Sequence, residues 1–303
     1  EAVSITFLAD KQSEFLQFIQ GNIDYISGLD ASYKDDILRA DGMLKPRYAS
    51  SVRMLRAPYL NTEYLGFYMD SEVSEYQSEL IRQAVNYGFD RSKMMKYLRN
   101  GIGIPAVGGF IPKGLPGHNK NVGYDYQPEK AKQLLETYRI ESGNPQPIIT
   151  LTTTSNYLSF SEFIQRELQS MGLTIQIDVM PPSSLKSAKS NGKVDLFRAS
   201  WVADYPDAQN YLSLFYSGNF APNGPNYTHF KNAQFDIWYE QAMLETDQTK
   251  RINLYQKMDA LVIEKAPVVV LFYDEVIRFT GMGVTGLGIN PTNLLELKNV
   301  QKN

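Results

Sequence analysis

The middle of the sequence alternates strand-like and helix-like segments, and this alternation constrains the fold more than any other feature. Residues 147–154, 173–179 and 194–201 are short apolar or alternating runs typical of strands. Residues 159–172 separate the first two runs with helical spacing and a terminal glycine, and residues 181–192 hold a shorter helix. Strands joined by helices in this order pair in parallel through right-handed crossovers. The sequence therefore predicts an α/β fold with a parallel-sheet core.

Asp204 follows the third of these strands. Ligands of open parallel sheets bind beyond the carboxyl ends of the strands, so this position is informative. One interpretation is a helix cap, because an aspartate near Pro206 suits the start of a helix that we predict over residues 206–219. In the other, the carboxylate faces a cleft and pairs with an ammonium group. The chemistry of the residues alone favours the cap.

Two residues of the preceding strand are further candidates for ligand contacts. The planar guanidinium of Arg198 could hold a carboxylate through two hydrogen bonds, or it could form a salt bridge at the end of the strand. Trp201 either lines a cleft or belongs to the core, and the core is the commoner place for such a side chain.

The composition excludes several classes of site. The chain has no cysteine, which removes disulfides, thiol nucleophiles and cysteine metal sites. Its two histidines, His118 and His229, lie far apart in loop-like sequence, so we expect neither a metal site nor a catalytic site built on histidine. We also expect no cofactor. A net charge of −3 gives no electrostatic basis for binding nucleic acid. No motif or carboxylate spacing singles out a hydrolase, which remains the alternative from the enzyme class.

The length and the first residues indicate how the chain is organised. Its 303 residues exceed a usual single domain, so two lobes are expected. Residues 3–10 read as a strand rather than a signal sequence, and a helix with an apolar face follows them. Because the chain starts inside an element, we expect it to be a processed or truncated product.

Five stretches of the sequence match, in order, the motifs of one protein family. Residues 80–95 contain an R-x-A…D-R helix pair, and residues 101–117 contain a G-x-P-A…P-x-G loop. Residues 124–136, 200–217 and 235–273 are similar to the family's next helix, its D-Y-x-D segment and its closing helices and strand. The chain thus resembles the peptide- and nickel-type solute-binding proteins of ABC transporters, the oligopeptide- and dipeptide-binding family. The motif residues of the first two stretches are Arg82, Ala84, Asp90, Arg91, Gly103, Pro105, Ala106, Pro112 and Gly114.

This resemblance implies a periplasmic-binding-protein-like architecture with two lobes, one nearly complete and the other partial. It makes residues 1–58 a remnant of the first lobe, residues 59–271 the second lobe, and residues 272–303 a crossover back to the first. It implies a protein that is not an enzyme, binds short peptides between its lobes and delivers them to the membrane subunits of an ABC importer. A monomer is also implied, periplasmic or on the cell surface and anchored by a lipid in its full-length form.

The resemblance also assigns roles to the three candidate residues. It implies that Asp204 pairs with the α-amino group of a bound peptide, that Arg198 lies near the ligand's carboxylate end, and that Trp201 lines the cleft. Because the family also includes binders of oligosaccharides and of nickel or haem complexes, those ligands remain alternatives.

Overall fold

A computed structural model describes residues 2–8 and 10–303 and confirms the predicted α/β class. Over these residues, none of the helices combines the length and the hydropathy that crossing a membrane requires. The helices are α1 Lys11–Ile19, α2 Lys34–Ile37, α3 Ser74–Gln77, α4 Glu79–Tyr87, α5 Arg91–Arg99, α6 Pro128–Ser142, α7 Leu158–Gln169, α8 Pro182–Ser190, α9 Gln209–Leu212, α10 Ala233–Leu244 and α11 Gln248–Lys265. The strands are β1 Tyr25–Ser27, β2 Val52–Phe67, β3 Ile104–Pro105, β4 Ile148–Thr153, β5 Thr174–Val179, β6 Leu196–Val202, β7 Val268–Gly281, β8 Val284–Thr285 and β9 Gln301–Lys302.

The chain forms two compact units, each built from separate segments. Unit 1 consists of Glu1–Tyr59, Met95–Ile104 and Asp274–Asn303, and unit 2 of Leu60–Met94 and Pro105–Tyr273. Unit 2 is the larger and holds all three candidate site residues. The predicted division into lobes stays a prediction.

Unit 1 has its own apolar core around α1 and the pair β1–β7. Ile26 on β1 lies opposite Phe279 on β7 in an antiparallel ladder, and both side chains are buried. The rings of Phe15 and Tyr33 stack with their centroids 4.9 Å apart. The carboxylate of Asp10 caps α1 by accepting from the backbone N–H of Ser13, and this cap fixes where the helix begins.

The strand predicted over residues 3–10 is wrong. Residues 3–8 belong to no strand, and Ala9 lies outside the described residues. The alternating apolar side chains of Val3, Ile5 and Phe7 are all exposed, the last of them by 92%. Alternation alone forms no strand, because a strand also needs a neighbour for its backbone hydrogen bonds.

The parallel core predicted from the middle of the sequence is confirmed in unit 2. Strand β4 pairs in parallel with β5 on one side and β6 on the other, so Leu151 lies opposite both Ile177 and Leu196. The second half of β2 pairs with β6 in the antiparallel sense, which places Leu65 opposite Arg198. Helix α7 covers β4 and β5. The sheet therefore carries β6 between two partners, with its carboxyl end leading to Asp204.

A glycine-rich loop of unit 2 is held by a buried carboxyl group on α11. Oδ1 of Asp259 accepts from the backbone N–H of Phe110 at 2.7 Å, and the hydroxyl of Tyr273 donates to Gly109 O at 2.5 Å. Position 109 requires glycine, since a Cβ there would lie 1.7 Å from Asp259 Oδ2. Burial raises the pKa of Asp259 to about 7, although the backbone bonds from Phe110 and Ile111 act in the opposite direction.

Candidate functional site

The chain leaves the sheet at the end of β6, and Asp204 lies in the turn that follows. The backbone N–H of Ala203 still donates to Leu60 O at 2.9 Å, which keeps the chain beside β2. Asp204 itself is exposed, and its backbone N–H donates to Asn210 Oδ1 over 3.4 Å. Among the residues that the structure describes, its carboxylate has no hydrogen-bond or ion-pair partner. The carboxylate is therefore available to a cationic group of a ligand.

The helix-cap interpretation of Asp204 is wrong, and so is the length of the helix predicted over residues 206–219. The chain first reverses direction after β6, and α9 begins only at Gln209. The N-cap is Ala208, and the side chain that stabilises the turn before α9 is that of Asp207, whose Oδ1 accepts from the backbone N–H of Gln209 at 2.9 Å. Its Oδ2 accepts from Nη2 of Arg251 at 3.0 Å. The structural role thus belongs to Asp207.

Trp201 is half-buried and anchored through its indole nitrogen. Its Nε1–H donates to Oδ1 of the buried Asn210 at 2.7 Å, the same oxygen that accepts from the backbone of Asp204. Asn210 therefore ties the tryptophan to the turn that carries the exposed carboxylate. A substitution at Asn210 would loosen both residues together.

Strand geometry separates Arg198 from Trp201. Successive side chains of a strand point to opposite faces, so two residues three apart in β6 lie on different faces of the sheet. The partners agree with this assignment, since Arg198 contacts Glu63 of β2 whereas Trp201 contacts Asn210 after the strand. The two residues do not line one surface of the sheet.

Arg198 forms an ion pair within unit 2. Its Nη2 donates to Oε2 of Glu63 at 2.5 Å, and its guanidinium carbon lies 3.5 Å from the ring centroid of Tyr157. Oε1 of the same carboxylate accepts from Asn61 Nδ2 at 3.0 Å and from the hydroxyl of Tyr157 at 3.2 Å. Burial acts to lower the pKa of Arg198, but the Glu63 carboxylate outweighs it and the net shift is upward. Arg198 therefore stays charged and paired.

A second cation lies near this pair. Lys189 on α8 is half-buried, with Nζ 4.4 Å from the ring centroid of Tyr227. Among the described residues, none offers it a carboxylate within ion-pair distance. Burial, followed by the positive charges of Arg198 and Lys186, lowers the pKa of Lys189 to about 8. Near neutral pH this ammonium group is charged but weakly compensated.

Sequence reasoning missed Glu63, Tyr157, Asn210 and Lys189. Glu63 did leave a signal, because it directly precedes the apolar and aromatic run of residues 64–67, where a buried strand rarely carries a charge. Its partner lies 135 residues further along the chain and is found only once the pairing of β2 with β6 is known. The other three residues carry no comparable signal.

The described part of the chain contains no group of three histidine, cysteine, aspartate or glutamate side chains placed to hold a metal ion. His118 Nδ1 lies 2.7 Å from Ile111 O, and His229 Nδ1 lies 2.8 Å from Asp70 Oδ2. A surface cavity of about 550 Å³ is formed by side chains of α10, α11 and the turn between them, and none of the three candidate residues lines it.

Comparisons with known proteins agree with the fold. The family model described as bacterial extracellular solute-binding proteins, family 5 middle, matches residues 1–223. The dipeptide-binding protein of Escherichia coli K12 is 24% identical over 255 residues, covering 82% of this chain and 47% of its own length. The dipeptide-binding protein of Pseudoalteromonas sp. SM9913, solved with Met-Leu, superposes with a TM-score of 0.82 at 19% identity, covering 98% of this chain and 56% of that one.

A further structural neighbour is AgaA from A. tumefaciens R10, solved with agropinic acid, with a TM-score of 0.82 and 24% identity over 98% of this chain and 60% of that one. The chain spans about half the length of the curated relative from Escherichia coli. The family model covers nearly three quarters of the chain, from residue 1 to residue 223 of 303. The chain therefore belongs to the bacterial extracellular solute-binding proteins of family 5.

Proposed function

We propose that the intact protein is the extracytoplasmic solute-binding component of an ABC importer and that it binds short peptides without transforming them. Family membership and the dipeptide-binding relative support this proposal. Residues 1–58 and 272–303 would contribute to one lobe and residues 59–271 to the other. Ligand would favour the closed arrangement because it contacts both lobes. The protein would act as a monomer at the periplasmic or outer face of the membrane, anchored by a lipid.

One observation carries the proposal. Asp204 presents an exposed carboxylate without a partner among the described residues, at the carboxyl end of a strand in a parallel core. We propose that its carboxylate pairs with the α-amino group of the peptide, which is present in every peptide with a free amino end. Trp201 and Arg198, which lie on opposite faces of β6, would each line a separate surface near Asp204. Bonds to the peptide main chain would supply affinity for many sequences, and bridging waters would accommodate varied side chains.

The test is calorimetry of the intact-length protein with trialanine and with N-acetyl-trialanine. Asp204→Asn removes the charge with little change in shape. We expect trialanine to bind the variant about ten- to a hundredfold more weakly, the usual value of a charge-assisted hydrogen bond. Acetylation should weaken binding to the wild type by a similar factor. Glu162→Gln, which removes another exposed carboxylate of the same unit, is the matched control and should leave affinity unchanged.

Native mass spectrometry of protein purified without added ligand complements this test. A set of co-purifying short peptides would support the proposal. An oligosaccharide, a nickel or haem complex, or a small acid such as the agropinic acid bound by AgaA would contradict it, as would a protein that binds no member of a peptide library.

A further inference from the structure

The pairing of Arg198 determines what this part of unit 2 can recognise. An arginine that receives a ligand carboxylate needs a guanidinium edge that is free of protein carboxylates. Here one edge of Arg198 is bonded to Glu63, and the flat face lies 3.5 Å from the centroid of the Tyr157 ring. The side chain of Glu63 is only 2% exposed, and it contacts Arg198 at 2.5 Å. A ligand carboxylate would have to compete with a buried protein carboxylate for the same cation.

Two buried polar atoms around the pair would be satisfied by a small neutral group rather than by a second carboxylate. Among the described residues, Nε of Arg198 is a buried donor without a partner, and Oδ1 of Asn61 is a buried acceptor without one. Both side chains lie on the same face of the sheet, because Asn61 and Glu63 are two apart in β2 and Glu63 bonds to Arg198. A water molecule or an amide offers both a donor and an acceptor. A carboxylate offers only acceptors and would leave Asn61 unsatisfied.

We propose that Glu63 is a specificity-determining residue that neutralises Arg198 and makes the site indifferent to a free carboxylate at the ligand's carboxyl end. The peptide is then held by its ammonium group and its main chain. Carboxyl-terminal amides and peptides that continue past this point bind as well as free acids of the same sequence. This inference rests on the proposed function, since it concerns the far end of the same ligand.

The experiment compares tetraalanine with tetraalanine amide by calorimetry at pH 7, using the intact-length protein. We expect the two dissociation constants for the wild type to agree within about threefold. In Glu63→Gln the side-chain oxygen can still accept from Asn61 and Tyr157, but the negative charge beside Arg198 is gone. The free acid should then bind at least tenfold more tightly than the amide, a difference typical of one charge-assisted bond. Glu162→Gln should behave as the wild type does.

The wild-type measurement decides the matter even if Glu63→Gln fails to fold. A preference of tenfold or more for the free acid in the wild type would overturn the proposal. If that preference disappears in Lys189→Gln, then Lys189 binds the ligand carboxylate, and Glu63 plays no part in selecting between the free acid and the amide. Failure of the proposed function looks different, because neither tetraalanine nor its amide would then bind and N-acetylation of trialanine would have no effect to measure.

Discussion

Unit 2 contains two almost completely buried carboxyl groups in opposite electrostatic situations. Glu63 has a cation, since Arg198 donates to it at 2.5 Å, and it receives two further hydrogen bonds from side chains. Asp259 accepts from the backbone N–H groups of Phe110 and Ile111, and within the described part of the chain it has no cationic partner and its Oδ2 has no hydrogen-bond partner. Burial therefore raises the pKa of Asp259 to about 7. The same kind of group is part of an ion pair in one place, and in the other it takes up a proton near pH 7.

The two carboxyl groups therefore have different structural roles. A buried ion pair between two strands fixes their register and places a defined charge pattern beside the candidate ligand site. A carboxyl group that accepts hydrogen bonds from backbone N–H groups fixes a loop. Because it is not part of an ion pair, no substitution of a partner can leave it as an unpaired charge in the core. Removing one member of the first arrangement should be costly, whereas neutralising the second should cost little. The following measurements test that contrast.

The largest effect is expected from Arg198→Met, which leaves Glu63 buried and unpaired. Removing one partner of a buried pair typically costs about 3–5 kcal/mol. We expect a loss of that size in the free energy of unfolding, measured by urea denaturation at pH 7. The double variant Arg198→Met/Glu63→Gln should recover most of it, because no charge is then left in the core.

Arg166→Met is the control for this prediction, since Arg166 is exposed on α7 of the same unit and should change stability by less than about 0.5 kcal/mol. A cost below about 1 kcal/mol for Arg198→Met would show that the ion pair adds little and would remove the contrast with Asp259.

The raised pKa of Asp259 predicts how the free energy of unfolding depends on pH. Its folded-state pKa of about 7 lies above its ordinary value of 3.8, so the folded protein holds this proton more tightly than the unfolded chain. The resulting stabilisation is fully present below pH 3.8 and is lost as the pH rises to about 7. At 1.36 kcal/mol per pKa unit, the loss across this window is at most about 4 kcal/mol.

The check is a comparison of wild type with Asp259→Asn by urea denaturation at several values between pH 4.5 and 8. Asparagine keeps an acceptor for Phe110 and does not titrate. The wild type should therefore lose stability relative to the variant as the pH rises, and the difference should level off above pH 7. A constant difference over the whole range would mean that Asp259 does not take up its proton near neutrality.

The sequence predicted those parts of the fold that depend on local pattern. The strands and helices between residues 147 and 202 were correct because each shows its own periodicity and each finds a neighbour along the chain. Residues 3–8 show a strand-like period as well, yet they form no strand in the structure. The helix predicted over residues 206–219 reduces to Gln209–Leu212, because reversing the chain after β6 overrides local propensity.

The candidate site was less predictable because its chemistry depends on tertiary partners. The sequence identified Arg198 as a candidate but left its partner open, and that partner is Glu63 on another strand. It placed Asp204 at the end of β6 and left its role open between a helix cap and a ligand contact, whereas the carboxylate that accepts from the first N–H of α9 is that of Asp207. Residue type indicates which bonds a side chain can form, whereas the pairing of distant strands decides which of those bonds exist.

The smallest expected change in the free energy of unfolding concerns two carboxylates in the turn after β6. Asp207 has partners there, whereas Asp204 has none among the described residues. Asp207→Ala removes the acceptor for the backbone N–H of Gln209 and the partner of Arg251, and loss of such a hydrogen bond costs about 1 kcal/mol. Asp204→Ala should leave the free energy of unfolding unchanged within about 0.3 kcal/mol, because an exposed group without bonds contributes nothing to the folded state. Equal losses in the two variants would show that Asp204 is structural after all. A loss confined to Asp207→Ala would instead leave Asp204 without a structural role, which is what a residue kept for a ligand requires.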